Sequence, residues 1–461
     1  MRETSGSAPR RVRSAEPSGP RTGVTATTVM AAVCPPRSPR PNAPLDGHGH
    51  YHAGMSDPFG GFDPRMFEQV PFFRELAKVM SWSGGPVNWD LARQTAEALA
   101  GRDPRALGDG GTSEEAFSDA VDTAELWLDQ VTGLPRVAGP ARSLDAGAWA
   151  ELATTAEGLG RYVEPIARGM GETLSGQLPE ELQQQLGSAS GMKPALDALG
   201  AMLFGVQVGT VAGNLADQLV GTYDLGVPTT DPRVVGTVGG GLGRFATDFD
   251  LDESEARYWL ALREAAHRRV FGGLPWLREH LDDLISRFAS EADLDPSRMM
   301  DALGGAGFDP SDPEALEQAL QDPDAFEIEP TEAQKRILRE LQTLVAFTEG
   351  WSATIVHAAA ADRLPSLGRI EEAALRHRAE HGPGERFLQQ LMGLDLKPAD
   401  LRQGRDFCDA VVAARDLEGL DRAWARAEHL PRPDELEDPS RWLVRMAAIE
   451  LGVDGDPPEQ H

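Results

Sequence analysis

The stretch Leu260-Ala261-Leu262-Arg263-Glu264-Ala265-Ala266-His267-Arg268-Arg269-Val270-Phe271 holds the residues whose types and spacing could carry chemistry. On a helix, Glu264 and His267 lie three residues apart and share a face. The frame His-Glu-x-x-His places two histidines one turn apart to bind zinc, with the glutamate positioned to activate the metal-bound water. Here the frame reads Arg-Glu-x-x-His. Glu264 stands at the position of the base and His267 at that of a ligand, and Arg263 takes the place of the other ligand. Glutamate and histidine at this spacing also occur on many helices as exposed or core-capping residues. The stretch alone therefore leaves both a metal site and a plain helix face open.

The elements that must position these residues read as helices. Asp252-Glu253-Ser254-Glu255 is an acid-rich start for a helix running to about Phe271, and Pro275 opens the next, through Trp276, Leu277, Leu281, Leu284 and Phe288. Thr331 starts a long helix to about Ala361. Ser113-Glu114-Glu115 opens Ala116 to Val131, with Phe117, Val121, Ala124 and Leu128 on one face. Ser143-Leu144-Asp145 opens another through Trp149, Leu152, Ala156 and Leu159, with Gly158, Gly160 and Pro165 near its end. Pro398, Leu420 and Pro439 mark shorter helices. Alternation is nearly absent, and Arg233 to Val238 allows one short strand at most. The expected fold class is mostly α, a multi-helix architecture with little or no β-sheet.

Ala195 to Val220 comes closest to a membrane span, but Gln207, Asn214, Asp217 and Gln218 interrupt it. Gly205, Gly209 and Gly213 recur there at every fourth position, which in a soluble protein lets a neighbouring helix approach closely. The Gly/Pro-rich segment Gly226 to Gly243 is the best internal boundary. It divides an N-terminal helical region, 55–235, from a region, 236–451, that carries the Arg-Glu-x-x-His helix. Gly239, Gly240, Gly241 and Gly243 superficially resemble a phosphate loop, but no strand precedes them and no Lys-Ser/Thr follows, so they read as a flexible connector.

Composition narrows the function classes. The 461 residues carry a net charge of −29, and Lys78, Lys193, Lys335 and Lys397 are the only lysines. So negative a chain repels phosphate backbones and anionic lipids, which argues against nucleic acid and membrane partners. Cys34 and Cys408 provide no disulfide framework, consistent with a reducing cytoplasm, and Cys408 reads as a small buried residue. Residues 1–54 are rich in Arg, Pro, Ser and Gly without an apolar period, and their composition predicts disorder, as it does for 452–461. Met55 reads like a natural start. His48, His50 and His52 alternate in this tail, where no folded surroundings would hold them as ligands.

Four separated stretches carry a resemblance. They are Arg263 to Phe271 followed by Leu274-Pro275-Trp276-Leu277; Met80-Ser81-Trp82-Ser83-Gly84-Gly85-Pro86-Val87-Asn88-Trp89; Thr348-Glu349-Gly350-Trp351; and Gly404 to Trp442 with Trp424, Leu430-Pro431 and Pro439. Together they resemble the zincin-like metallopeptidase family of actinobacteria, whose relatives include proteins associated with coenzyme F420 biosynthesis. The resemblance spans about Met55 to Leu451. It implies a zinc cofactor, a peptide or protein substrate, Glu264 as general base, and His267 and Glu349 as ligands in a gluzincin-like set. The departure is Arg263, which leaves two ligands where a catalytic zinc holds three plus water, and puts a permanent cation beside them. His357, eight residues after Glu349, is a candidate substitute; His280 is a less natural one.

Three readings stay open. The chain is a zinc-dependent hydrolase of peptide or amide bonds with an altered ligand set. Alternatively, the site is a relic in which Arg263 pairs with Glu264, Glu349 or another acid as an internal strut, and the scaffold binds or regulates. The third is a helical interaction scaffold with an accidental likeness. One expectation concerns the tail alone: because residues 1–54 have no face to bury, a chain beginning at Met55 should keep the full-length melting temperature, and a loss of several degrees would contradict this.

Overall fold

Side-chain caps fix several helices where their sequence signals lie. The computed structural model describes residues 84–101, 112–177, 192–291, 331–379 and 397–452. The arginine-rich tail with Cys34, His48, His50 and His52, the Met55 start, Met80 to Ser83, and residues 453–461 lie outside the described residues. Within these, thirteen α-helices and one two-stranded parallel sheet are present.

In chain order the elements are α1 (Trp89–Leu99), α2 (Glu114–Leu128), β1 (Ala141–Leu144), α3 (Ala146–Ala153), α4 (Arg161–Gln177), α5 (Met192–Ala216), β2 (Val235–Val238), α6 (Gly241–Asp248), α7 (Glu253–Gly273), α8 (Pro275–Ser290), α9 (Glu332–Ala360), α10 (Leu367–Ala379), α11 (Pro398–Asp421), α12 (Pro433–Glu437) and α13 (Pro439–Glu450). Ser113 caps α2 by accepting from Ala116 N, and Asp252 caps α7 by accepting from Glu255 N. Thr331 and Gln334 close a capping box at the head of α9. α11 is two helical stretches that meet at a kink at Asp416, whose φ of 61° is not helical.

The segment around Ser143 corrects the expectation of one helix to Leu159. Ser143 and Leu144 belong to β1, Asp145 is the N-cap of α3, and α3 ends at Ala153. A π-helical stretch over Ala156–Gly160, with Gly158 at φ −85° and ψ −125°, leads into α4, which contains Pro165 instead of stopping at it. β1 pairs with β2 in parallel, Ala141 opposite Val235 and Leu144 opposite Val238. The glycines after β2 are a packed turn, not a loose connector: Gly239 and Gly240 take φ of 53° and 67°, and a Cβ on Gly239 would stand 2.6 Å from Ala216 O. A strand does precede them, but no Lys-Ser/Thr follows.

On α5, Gly205 and Gly209 face α1, whose Asn88 and Ala92 backbones leave no room for a side chain, and Gly213 meets Leu99. The glycine stripe therefore serves close helix packing. No helix among the described residues is long and apolar enough to cross a membrane.

α7 is the element on which the site depends. Every residue from Leu260 to Phe271 is buried, although five of them are charged or titratable. Such side chains are rarely buried without partners. On the α2 side, Glu125 receives Arg268 Nη2 at 2.7 Å and Arg269 Nε at 2.9 Å, and Arg269 Nη2 also reaches Asp129 at 2.7 Å and Glu125 O at 3.0 Å. Removing one member of a buried ion pair leaves an uncompensated charge and costs about 3–5 kcal/mol. Glu125→Ala should lower unfolding free energy by about that amount in urea titration; a change under about 1 kcal/mol would mean the cluster is solvated on demand.

Candidate functional site

The opposite face of α7 points towards α9, α10 and the turn joining α5 to β2. Glu264 and His267 have no exposed surface, and Arg263 and Glu349 retain only 7% and 8% of theirs.

Glu264 turns into the backbone of the turn. Its Oε2 accepts from Thr222 N at 3.2 Å, Gly236 N at 3.3 Å and the Thr222 hydroxyl, and its Oε1 accepts from Tyr223 N at 3.1 Å. A Cβ on Gly221 would collide with the carboxylate, so only glycine lets the turn approach this closely. Burial pushes the Glu264 pKa up to about 7, against the opposing pull of the Arg263 charge and the Thr222 hydroxyl.

Arg263 spreads its guanidinium between two acids. Nη2 donates to Glu349 Oε1 at 3.0 Å, Glu349 Oε2 at 3.3 Å and Tyr223 O at 3.0 Å, and Nη1 donates to Asp224 Oδ1 at 3.3 Å. Asp224 is itself fixed by accepting from Val220 N and Gly221 N. From α10, Arg378 Nη1 reaches Glu349 Oε2 at 2.8 Å, and its Nη2 reaches Asp224 O at 2.7 Å. Gly226, at φ 75°, brings the chain so near Glu349 that a Cβ would stand 3.0 Å from Oε1. Burial alone would raise the Glu349 pKa, but Arg263, Arg378 and His267 outweigh it and hold the carboxyl well below the ordinary 4.5.

His267 lies between two acceptors, with Nδ1 at 2.8 Å from Arg263 O and Nε2 at 3.0 Å from Glu349 Oε1; Ser352 Oγ is 3.3 Å from Nδ1. Burial lowers its pKa, with Glu349 opposing, so the neutral ring has one proton for two acceptors.

The structure thus brings Glu349 from far downstream to Arg263 and His267, while Glu264 on the same helix turns to the 220–224 turn. It does not bring the two substitute ligands to them. His357 is half-exposed and pairs with Glu371 at 3.1 Å, and His280 is half-buried on α8, near Asp283 and Glu340. Asp224, Arg378, Thr222 and Ser352 were not visible as site residues in the sequence. The one local signal is the polar run Thr222-Tyr223-Asp224 between an apolar helix and a Gly/Pro-rich segment.

Arg263, Glu349, Ser352 and Arg378 line a cleft of about 620 Å³ whose apolar walls include Phe245 and Trp259; Glu264 and His267 do not reach it.

The chain matches the zincin-like metallopeptidase family over residues 87–443. It belongs to that family. This zincin-like chain is also similar in fold to a crystal structure of a "putative hydrolase with a novel fold" from Chloroflexus aurantiacus, at 24% identity and a TM-score of 0.54, over 78% of this chain and 99% of that one. No curated protein matches it.

The zinc that the family implies does not fit these residues. A catalytic zinc takes three protein ligands and a water. Here His267 Nε2 and Glu349 Oε1 converge, but the third corner is a guanidinium that shares the same carboxylate oxygen. Among the described residues no group of three or more His, Cys, Asp or Glu side chains is placed to hold a metal.

Glu349→Gln leaves Arg263 and Arg378 facing a neutral amide, and should cost about 3 kcal/mol at neutral pH. The glutamate's folded pKa lies below its unfolded one, so its ionic contribution is complete above the unfolded value of 4.5 and fades as pH falls through the lowered folded value. Denaturant titrations of both proteins should show a constant gap at neutral pH that narrows in acid; a gap that widens in acid would reverse the assignment.

Proposed function

We propose that this zincin-like protein uses its cleft to bind a peptide or protein ligand, as a binding or regulatory protein in which the hydrolytic chemistry of the family is impaired. The observation that supports this reading most is the disposition of Glu264. A general base must reach the proton it removes within hydrogen-bond distance or through one water. The Glu264 carboxylate instead accepts three backbone amides and a hydroxyl, and lies outside the cleft. Its role is to hold the 220–224 turn, which in turn presents Asp224 to Arg263.

What remains at the cleft suits recognition. Arg378 and Glu349, paired with each other, line it as polar groups, and Phe245 and Trp259 offer apolar surface, the mixture that holds a peptide's backbone and side chains.

A mixed-sequence library of quenched fluorescent peptides, supplied with zinc, tests the reading. Where a glutamate serves as general base, its loss costs about 10²–10⁴-fold in rate. Turnover by the natural chain and by folded Glu264→Gln should both stay at background, within about twofold of each other. Turnover by the natural chain that falls by about a hundredfold or more in Glu264→Gln would restore Glu264 as the base.

A further inference from the structure

Glu349 Oε1 is a single oxygen claimed twice, by Arg263 Nη2 and by His267 Nε2, each at 3.0 Å. Arg263 precedes His267 by one helical turn, so both side chains leave the same face of α7 and converge on that oxygen. We infer that the Arg263 guanidinium is a resident, tethered cation on the Glu349 oxygen that a metal held together with His267 would need, so that arginine and zinc are mutually exclusive occupants and a histidine at 263 turns the same constellation into a zinc site.

Three features carry this. The buried Glu349 carboxylate needs a counter-charge, and Arg263 provides one that cannot be lost by deprotonation. A divalent ion brought beside that guanidinium would meet a fixed like charge in a poorly solvated site. Meanwhile the surroundings of a ligand pair persist without the metal. His267 Nδ1 faces the backbone carbonyl of residue 263, a contact that does not depend on the side chain there, and in the tautomer that donates this hydrogen bond Nε2 is left to ligate. Arg378 engages Glu349 through Oε2 and leaves Oε1 free to ligate. Replacing the guanidinium by imidazole removes the competing cation and supplies the third ligand of a His, His, Glu set in one step. The inference goes beyond the proposed binding function and stands on a different residue, so either can fail alone.

The test is zinc titration of the full chain against a chromophoric chelator at neutral pH, without an affinity tag. Each protein is paired with its His267→Ala counterpart, so that weak binding elsewhere, as at His48, His50 and His52, is subtracted. Arg263→His should gain one His267-dependent zinc site at least about a hundredfold tighter than anything His267-dependent in the natural chain, and zinc should raise its melting temperature but not that of the natural chain. Because Arg263→His leaves Asp224 without its cation, Arg263→His/Asp224→Asn serves if the single variant does not fold. A tight His267-dependent site in the natural chain would overturn the inference. So would a folded variant of either kind that gains none.

Discussion

Glu349 is a carboxylate withdrawn from water where α7, α9, α10 and the 220–224 turn meet, and the surrounding structure is arranged around its charge. Arg263 meets it from α7, Arg378 from α10 and His267 from one turn further along α7. Each of these groups is held in its turn. Asp224 steadies Arg263, the turn steadies Asp224, and Glu264 steadies the turn through Thr222, Tyr223 and Gly236. Acceptors and donors thus alternate through a closed set, which is how a low-dielectric interior tolerates so many ionic groups.

This arrangement gives the Arg-Glu-x-x-His frame a physical sense. Arg263 brings to the Glu349 oxygen that His267 also meets a positive charge bound to the backbone and indifferent to metal supply. The other two arginines of the helix, Arg268 and Arg269, do the same for Glu125 on the opposite face. α7 is thereby anchored on two sides by buried ion pairs, and its weak amphipathic pattern follows from having no face left for solvent. Membership of the family fixes the scaffold and not what the cleft does, since fold and chemistry are separable.

Much of the fold was legible because helix ends announce themselves locally. Ser113, Asp252 and Thr331 each begin a helix by capping it, and Gly205, Gly209 and Gly213 mark where α1 comes close. The frame from Arg263 to His267, and Glu349 far downstream, identified the convergent centre. β1 was hidden because Ser143-Leu144-Asp145 looks like a helix start; its strand character comes from a partner, β2, some ninety residues away. Arg378 and Asp224 were hidden for the same reason, since nothing near either in sequence distinguishes a surface charge from one that reaches a buried carboxylate. Glu264 was placed correctly on the helix, but its hydrogen-bond partners come from a turn that no periodicity reveals.

The most direct test is metal analysis by mass spectrometry of the natural full-length chain, expressed with zinc present and purified without chelators or an affinity tag. If Arg263 holds the place of the metal, zinc will be well below one ion per chain and the same in His267→Ala. One zinc per chain that disappears in His267→Ala would contradict this account, because the guanidinium and the ion would then share the oxygen that only one of them can have.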